Sequence, residues 1–130
     1  MKNTDVLLTT YMNALNANMP PKNNPDAVAK LFAEDGVQSE PSRASQQGRQ
    51  ALRDRFAEFE HKFADWTHIE KSRTVQGNRA VWEGVAQGTL KETGKFVKEP
   101  IVFFIEFDEH GQVKENRVYY DTHTVEDQLQ

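Results

Sequence analysis

Only three kinds of side chain in this sequence are placed to move a proton. No cysteine occurs among the 130 residues, which removes a thiol nucleophile, a thiolate metal site and a disulfide scaffold together. The four histidines, His61, His68, His110 and His123, are far apart, and none pairs with a glutamate at helical ligand spacing among apolar neighbours. No metal site is therefore indicated, and no phosphate loop, nucleophile elbow or dinucleotide fingerprint occurs. Carboxylates, tyrosine and histidine are left, so the expected chemistry is proton transfer without metal or cofactor, or binding alone. Glu40 stands at the end of a short strand-like segment just before Pro41, and Asp121 closes the last such segment after Tyr119 and Tyr120. A carboxyl at the mouth of an apolar cavity has its pKa pushed up by desolvation, which suits abstraction of a proton beside a carbonyl. Tyr11 lies in an apolar helical stripe, His68 alternates with Trp66 and Glu70, and His123 follows Asp121 by two. Each has a plainer alternative. Glu40 reads equally as a surface residue opening a polar loop, Tyr11 as one more core residue of the Leu7/Leu15 stripe, and Asp121 as an ion-pair partner of Arg117 on the same strand face. His61 and His110 are expected in solvent.

The elements that must carry these groups follow from hydrophobic period. Thr4 as cap, Asp5 in the first turn, and Leu7, Leu8, Tyr11, Met12 and Leu15 predict a helix to about Asn16. After the breaker Met19-Pro20-Pro21, Asn24-Pro25 starts a second helix with Val28, Leu31 and Phe32 on its stripe and Gly36 as its stop. Val37 to Glu40 is a short strand, and residues 42–48 have loop chemistry. Leu52, Phe56, Phe59 and Phe63 mark a third helix, with Arg53, Glu58 and His61 on its other side. From Trp66 the period falls to 2, predicting strands at 66–76, 79–91, 95–107 and 112–121 in an antiparallel meander, then one helical turn from Thr124. Helices first and strands after is the α+β pattern.

Composition bounds the rest. Leu, Ile, Val and Phe number 29 of 130, a little above the roughly 20% at which disorder becomes the better reading. This is a lean core for a single domain spanning 1–130. A formal charge of −4 with scattered lysines offers no footprint for nucleic acid or an anionic membrane. No apolar run near the start exceeds Val6-Leu7-Leu8, so neither a secretory leader nor a membrane span is expected, and with no cysteine a cytoplasmic location fits. The run Ile101–Phe107 is apolar on both strand faces. One face must meet the helices, and a second copy of the chain is the simplest cover for the other, which predicts a homodimer through the sheet.

Tyr11-Met12-Asn13-Ala14-Leu15-Asn16-Ala17 and Pro25 through Val37 resemble the opening of ketosteroid isomerases and SnoaL-like polyketide cyclases, in the nuclear transport factor two-like superfamily. Phe107 through Val113, Arg117 through Asp121, and Gln128-Leu129 resemble the SnoaL-like branch most. The resemblance implies a cone-shaped curved mixed sheet wrapped around three N-terminal helices, a cystatin-like α+β barrel, with an apolar pocket for a small apolar molecule. It implies that Tyr11 donates a hydrogen bond to a developing enolate, that Glu40 holds the isomerase base position with one extra methylene, and that Asp121 is a general acid/base, with either His123 or His68 as imidazole partner. Phe32, Phe56, Phe59, Trp82, Phe104 and Tyr120 are the expected pocket residues. Two features depart from the relatives: the protonated acid of the isomerase oxyanion hole falls on Val102 or Phe103, and Leu90 follows Gly88-Thr89 where the cyclases carry histidine. The implied function is a cofactor-free isomerase or cyclase using carboxylates on a cyclic ketone or polyketide-like molecule. The alternative is a non-catalytic binding or interaction domain of the same fold.

Overall fold

The structure, a computed structural model, describes residues 3–129; the ends of the expected 1–130 span, 1–2 and 130, lie outside the described residues. Asn3 rather than Thr4 caps the first helix, α1 (Thr4–Asn18), its Oδ1 accepting from the backbone N–H of Asp5 and Val6. Thr4 is buried and its hydroxyl donates to the Gly77 carbonyl. Leu8, Tyr11, Met12 and Leu15 form the buried stripe. Helix α2 (Pro25–Ala29) is capped by Asn24 and stops well short of Gly36. Phe32 instead opens strand β1 (Phe32–Ser39), because it finds a parallel partner in Val113 and its carbonyl is gripped by the Arg49 guanidinium at 3.0 and 3.1 Å. Long-range pairing thus overrides the helical period that Val28, Leu31 and Phe32 set up.

A two-residue strand, β2 (Gln46–Gln47), then pairs antiparallel with β1 inside the segment expected to be loop. Helix α3 (Arg49–Lys62) follows Gly48, whose φ of 88° is open to glycine and strained for other residues. The meander is as expected: β3 (Phe63–Gln76), β4 (Arg79–Leu90), β5 (Phe96–Phe107) and β6 (Val113–Tyr119), with α4 (Thr122–Leu129) at the end. The six strands form one sheet in the order β2-β1-β6-β5-β4-β3, mixed because β1 runs parallel to β6. β2 and β3 are its two edges, so the mixed sheet packed against the helices stays open rather than closing into the expected barrel.

Residues alternate strictly on β4 and β5. Ala80, Trp82, Ala86, Val97, Glu99, Ile101, Phe103, Ile105 and Phe107 face in and are buried. Gly84 and Gly88 belong to the same inner row, and a Cβ there would lie 2.0 Å from the Ile69 carbonyl and 2.1 Å from that of Asp65. Only glycine allows β3 to approach so closely. On the outer face Val81 pairs with Phe104 and Glu83 with Val102, which pairs in turn with Tyr119; Phe104 is 37% and Tyr119 48% exposed.

Candidate functional site

Between the inner face of the sheet and helices α1 and α3 lies a cavity of about 220 Å³, roofed by Val125, Gln128 and Leu129 of α4. Its walls are aromatic: Phe59, Phe63 and Trp66 form a contiguous cluster with ring centroids 4.4 to 5.8 Å apart. Trp66 lies over Gly88, whose absent Cβ would be 2.8 Å from its Cε3. Phe56 and Phe103 continue the lining.

Two carboxylates reach this cavity in opposite electrostatic conditions. Glu40, one residue past β1, has its side chain only 2% exposed, and Arg55 of α3 meets it through two bonds, Nη2 to Oε1 at 2.8 Å and Nε to Oε2 at 2.9 Å. The Tyr120 hydroxyl donates to Oε1 at 3.1 Å and the Gln38 amide to Oε2 at 3.4 Å. Burial pushes the Glu40 carboxyl up, but the bonds and charge of Arg55, the Tyr120 hydroxyl and the charge of Arg43 together hold it below the ordinary glutamate value. It is an ionised, fully coordinated group. The same pairing raises the Tyr120 phenol, chiefly by burial and then by the Glu40 charge, to about 12.

Glu99 on β5 is 9% exposed and its Oε2 has no hydrogen-bond partner. Burial is the main cause, and the Glu40 charge the second, that raise its carboxyl to about 7, against the smaller opposing pull of Lys62 and Arg55. His68 (β3), Ala86 (β4) and Glu99 (β5) are successive cross-strand partners on the inner face. Two strand spacings put His68 and Glu99 about 10 Å apart at Cα, with the small Ala86 between them. Both side chains line the cavity over it.

The protonation of His68 follows from Asn16. The Asn16 amide donates Nδ2–H to the His68 carbonyl at 3.1 Å and accepts the His68 backbone N–H at 3.0 Å on Oδ1, so its orientation is determined. His68 Nδ1 lies 2.9 Å from that same oxygen and must carry the proton. Nε2 then keeps its lone pair, and burial lowers the imidazole to about 4, so it stays neutral at pH 7. Tyr11 also lines the cavity; burial pushes its phenol well up, against a weaker influence of the Asn116 amide. Asn116 itself is completely buried, and neither amide atom has a well-aligned partner.

Of the residues expected from sequence, Glu40, Tyr11, Tyr120, Phe56 and Phe59 come together around the cavity. Asp121 does not. Strand β6 ends at Tyr119, the alternation ends with it, and Asp121 is an exposed residue capping α4, accepting from the Thr124 hydroxyl at 2.8 Å and the His123 N–H at 3.0 Å. Those bonds hold its carboxyl low, and Arg117 lies beside Glu115 instead. His123 points into solvent with Asp127 3.6 Å away. Phe32 and Trp82 are core residues behind the cavity wall, with almost no exposure. Phe104 is on the opposite face of the sheet, edge-on to Tyr119 and covered by the Arg117 guanidinium 5.3 Å from its ring. The sequence reading omitted Arg55 and Glu99, although each leaves a trace. Arg55 is three residues after Leu52 on the apolar flank of α3, and Glu99 is the one charge in the inward row Val97, Glu99, Ile101, Phe103, Ile105, Phe107.

A cavity between a mixed sheet and N-terminal helices agrees with the family comparison, in which residues 8–116 match the SnoaL-like domain. The chain belongs to the SnoaL-like domain family. Solved structures of this fold superpose well at low identity. A hypothetical protein with a ketosteroid isomerase-like fold from Catenulispora acidiphila, in complex with trimethylamine, aligns at TM-score 0.82 and 20% identity over 97% of this chain and 93% of its own. A phenazine biosynthesis-related protein from Pseudomonas aeruginosa aligns at 0.78 and 18%, covering 97% and 80%. The epoxide hydrolase/cyclase-like enzyme SalBIII, which has a role in pyran ring formation in the polyether salinomycin, aligns at 0.78 and 18%, covering 93% and 92%. Among curated proteins none matches. At these identities the SnoaL-like structures establish the fold, and the chemistry must be argued from this chain's own side chains.

Proposed function

We propose that this SnoaL-like protein is a cofactor-free isomerase or cyclase that moves a proton on a small cyclic ketone or polyketide-like molecule, with Glu99 as the acid/base group. The observation that carries the reading is the orphaned Oε2 of Glu99, buried in a cavity whose nearest guanidinium is already committed to Glu40. A carboxyl near pH 7 is populated in both forms at neutrality, the condition under which general acid/base transfer is most efficient. In the proposed step the Glu99 carboxylate takes a proton from the carbon beside the substrate carbonyl. The C–H electron pair moves into the ring as an enolate, and the charge on its oxygen is stabilised by the Tyr11 hydroxyl. Protonated Glu99 then returns the proton at a second carbon. The lone pair on His68 Nε2 accepts a substrate hydroxyl or N–H and fixes the ring over Ala86. Glu40 acts as a fixed negative charge that helps keep Glu99 high. A cavity of about 220 Å³ is smaller than the roughly 300–1,000 Å³ of drug-sized sites, so the substrate is a small ring system. The relatives named for cyclisation and phenazine biosynthesis favour the same substrate range.

The test is a thermal-shift screen of cyclic ketones and enones, followed by NMR of each hit in deuterium oxide. Wild type should exchange the proton beside the carbonyl, and Glu99→Gln should lose that exchange by roughly 10²–10⁴-fold while still binding. Binding with no exchange in wild type would instead support a small-molecule-binding domain. The full engagement of Glu40, the residue that the family resemblance puts forward as base, is the observation favouring that second reading.

A further inference from the structure

Helix α4 lies beyond the segment matched to the family, 8–116. None of its residues is buried, and its packing within the fold is chiefly on β5. Its uncharged residues Val125, Gln128 and Leu129, spaced three and four apart, line the cavity, while His123, Glu126 and Asp127 are exposed. An isolated helix this short is unstable in water, so specific contacts must hold it.

The contact is unusual in kind. Strand β5 is paired with β4 along its length, but β6 reaches only Val102 to Phe107 on the other side, which leaves the edge at 96–101 open. Gln128 occupies that edge as a strand would. The Lys98 N–H donates to Oε1 at 2.8 Å, and Nε2 donates to the Lys98 carbonyl at 2.7 Å. At the other end of the helix Asp121 caps the first turn. Lys98 immediately precedes Glu99.

We infer that α4 partly roofs the site and that Gln128 is a positioning residue, which by clasping the open edge of β5 at Lys98 keeps α4 over the cavity and limits the water that reaches the neighbouring Glu99. This rests on the acid/base reading of Glu99 for its consequence, but not for its geometry. The charges that act on Glu99 come from other elements: Glu40 beyond β1, and Arg55 and Lys62 on α3. His68 on β3 stands in its row and Tyr120, after β6, feels its charge. The residues α4 turns to the cavity add no charge, so α4 works by excluding water. Releasing the clasp would hydrate Glu99 and lower its carboxyl toward the ordinary glutamate value.

The experiment is a carboxyl ¹³C NMR titration of the ligand-free full chain, with the Glu99 signal assigned by its loss in Glu99→Gln. Amide hydrogen exchange at Lys98 is measured alongside. Gln128→Ala should lower the Glu99 midpoint by about one unit or more and speed Lys98 exchange by about tenfold or more. Gln128→Asn, one methylene too short to reach both backbone groups, should do the same. Glu126→Ala, on the exposed side of the same helix, should change neither. A Glu99 midpoint unmoved in the Gln128 variants while the Lys98 amide is deprotected would overturn the inference and leave the acid/base reading standing. A wild-type Glu99 titrating at the ordinary glutamate value would overturn both.

Discussion

The corner where β1 meets α3 and the row that crosses β3, β4 and β5 each bury one glutamate, and the two are treated in opposite ways. At the corner, Glu40 accepts two bonds from Arg55 and others from Tyr120 and Gln38. On the row, Glu99 faces an aromatic wall with one oxygen unpaired. Equal burial thus produces a carboxylate held ionised in one place and a carboxyl poised near neutrality in the other. Burial by itself does not poise a carboxyl near neutrality; burial without a committed cation does.

The strongest way to break this contrast is to remove the cation. Arg55→Ala should destabilise the fold by about 3–5 kcal/mol, since it strands a buried charge, and should raise the Glu40 carboxyl above the ordinary value. Urea denaturation at pH 7 would measure the first effect. The double replacement Arg55→Met with Glu40→Leu should recover most of the loss, because a buried pair contributes little beyond satisfying itself. Recovery of none of it would mean that the corner is needed for more than charge balance.

A smaller effect distinguishes Glu99 by pH. Its folded value near 7 lies above the unfolded one, so the native state holds the extra proton and stability falls as pH rises from about 4.5 to 7. His68 has the opposite sign: its folded value near 4 lies below the unfolded one, so stability rises with pH from about 4 to 6.5. The two contributions oppose each other over most of the same window. Glu99→Gln should therefore uncover a rise in melting temperature between pH 4 and 6.5, and above pH 7 it should be more stable than wild type by a few degrees. His68→Gln should uncover the fall. Identical pH profiles in wild type and both variants would show that neither group is perturbed.

The remaining predictions leave the two carboxylates alone. The outer sheet face, with Val102, Phe104 and Tyr119, is the expected seat of a second copy of the chain. Sedimentation at micromolar concentration should give about twice the 14.9 kDa chain mass, and Phe104→Glu should give the single mass with proton exchange retained. A wild-type monomer would refute the pairing. Smallest of all, Asp121→Asn keeps an oxygen for the His123 N–H and offers an amide N–H that the Thr124 hydroxyl can accept, and it should leave the exchange rate within about twofold. A loss comparable to that of Glu99→Gln would return Asp121 to the chemistry.

The meander was legible because period-2 runs, strict on β4 and β5, between turns at Gly77, Gly94 and Gly111 allow few other arrangements, and β3 to β6 fall within three residues of expectation. Helix α2 was misjudged because its last apolar residue, Phe32, pairs with Val113 across a long stretch of chain. Tyr11, Phe56, Phe59, Tyr120 and Glu40 line the cavity; helical spacing put Phe56 and Phe59 on one stripe, whereas Tyr11 and Glu40 were singled out through family likeness. Asp121 was misplaced because strand period was extended two residues past Tyr119, where β6 already ends. Arg55 and Glu99 were missed because a charge on an apolar face is ordinarily a residue at the edge of that face. Whether it turns inward depends on partners from other elements.

The amino-acid sequence alone narrowed the side chains on offer: with no thiol, and histidines scattered singly, it leaves carboxylates, tyrosine and histidine as the candidate proton-transfer groups. It also determined the order of elements apart from the two-residue β2, because local period and turn residues act over a few positions. Which carboxylate is available was decided only by the tertiary structure. Arg55 reaches Glu40 across fifteen residues and not Glu99, and the free energy of a buried charge depends on its partners in space, which hydrophobic period does not record.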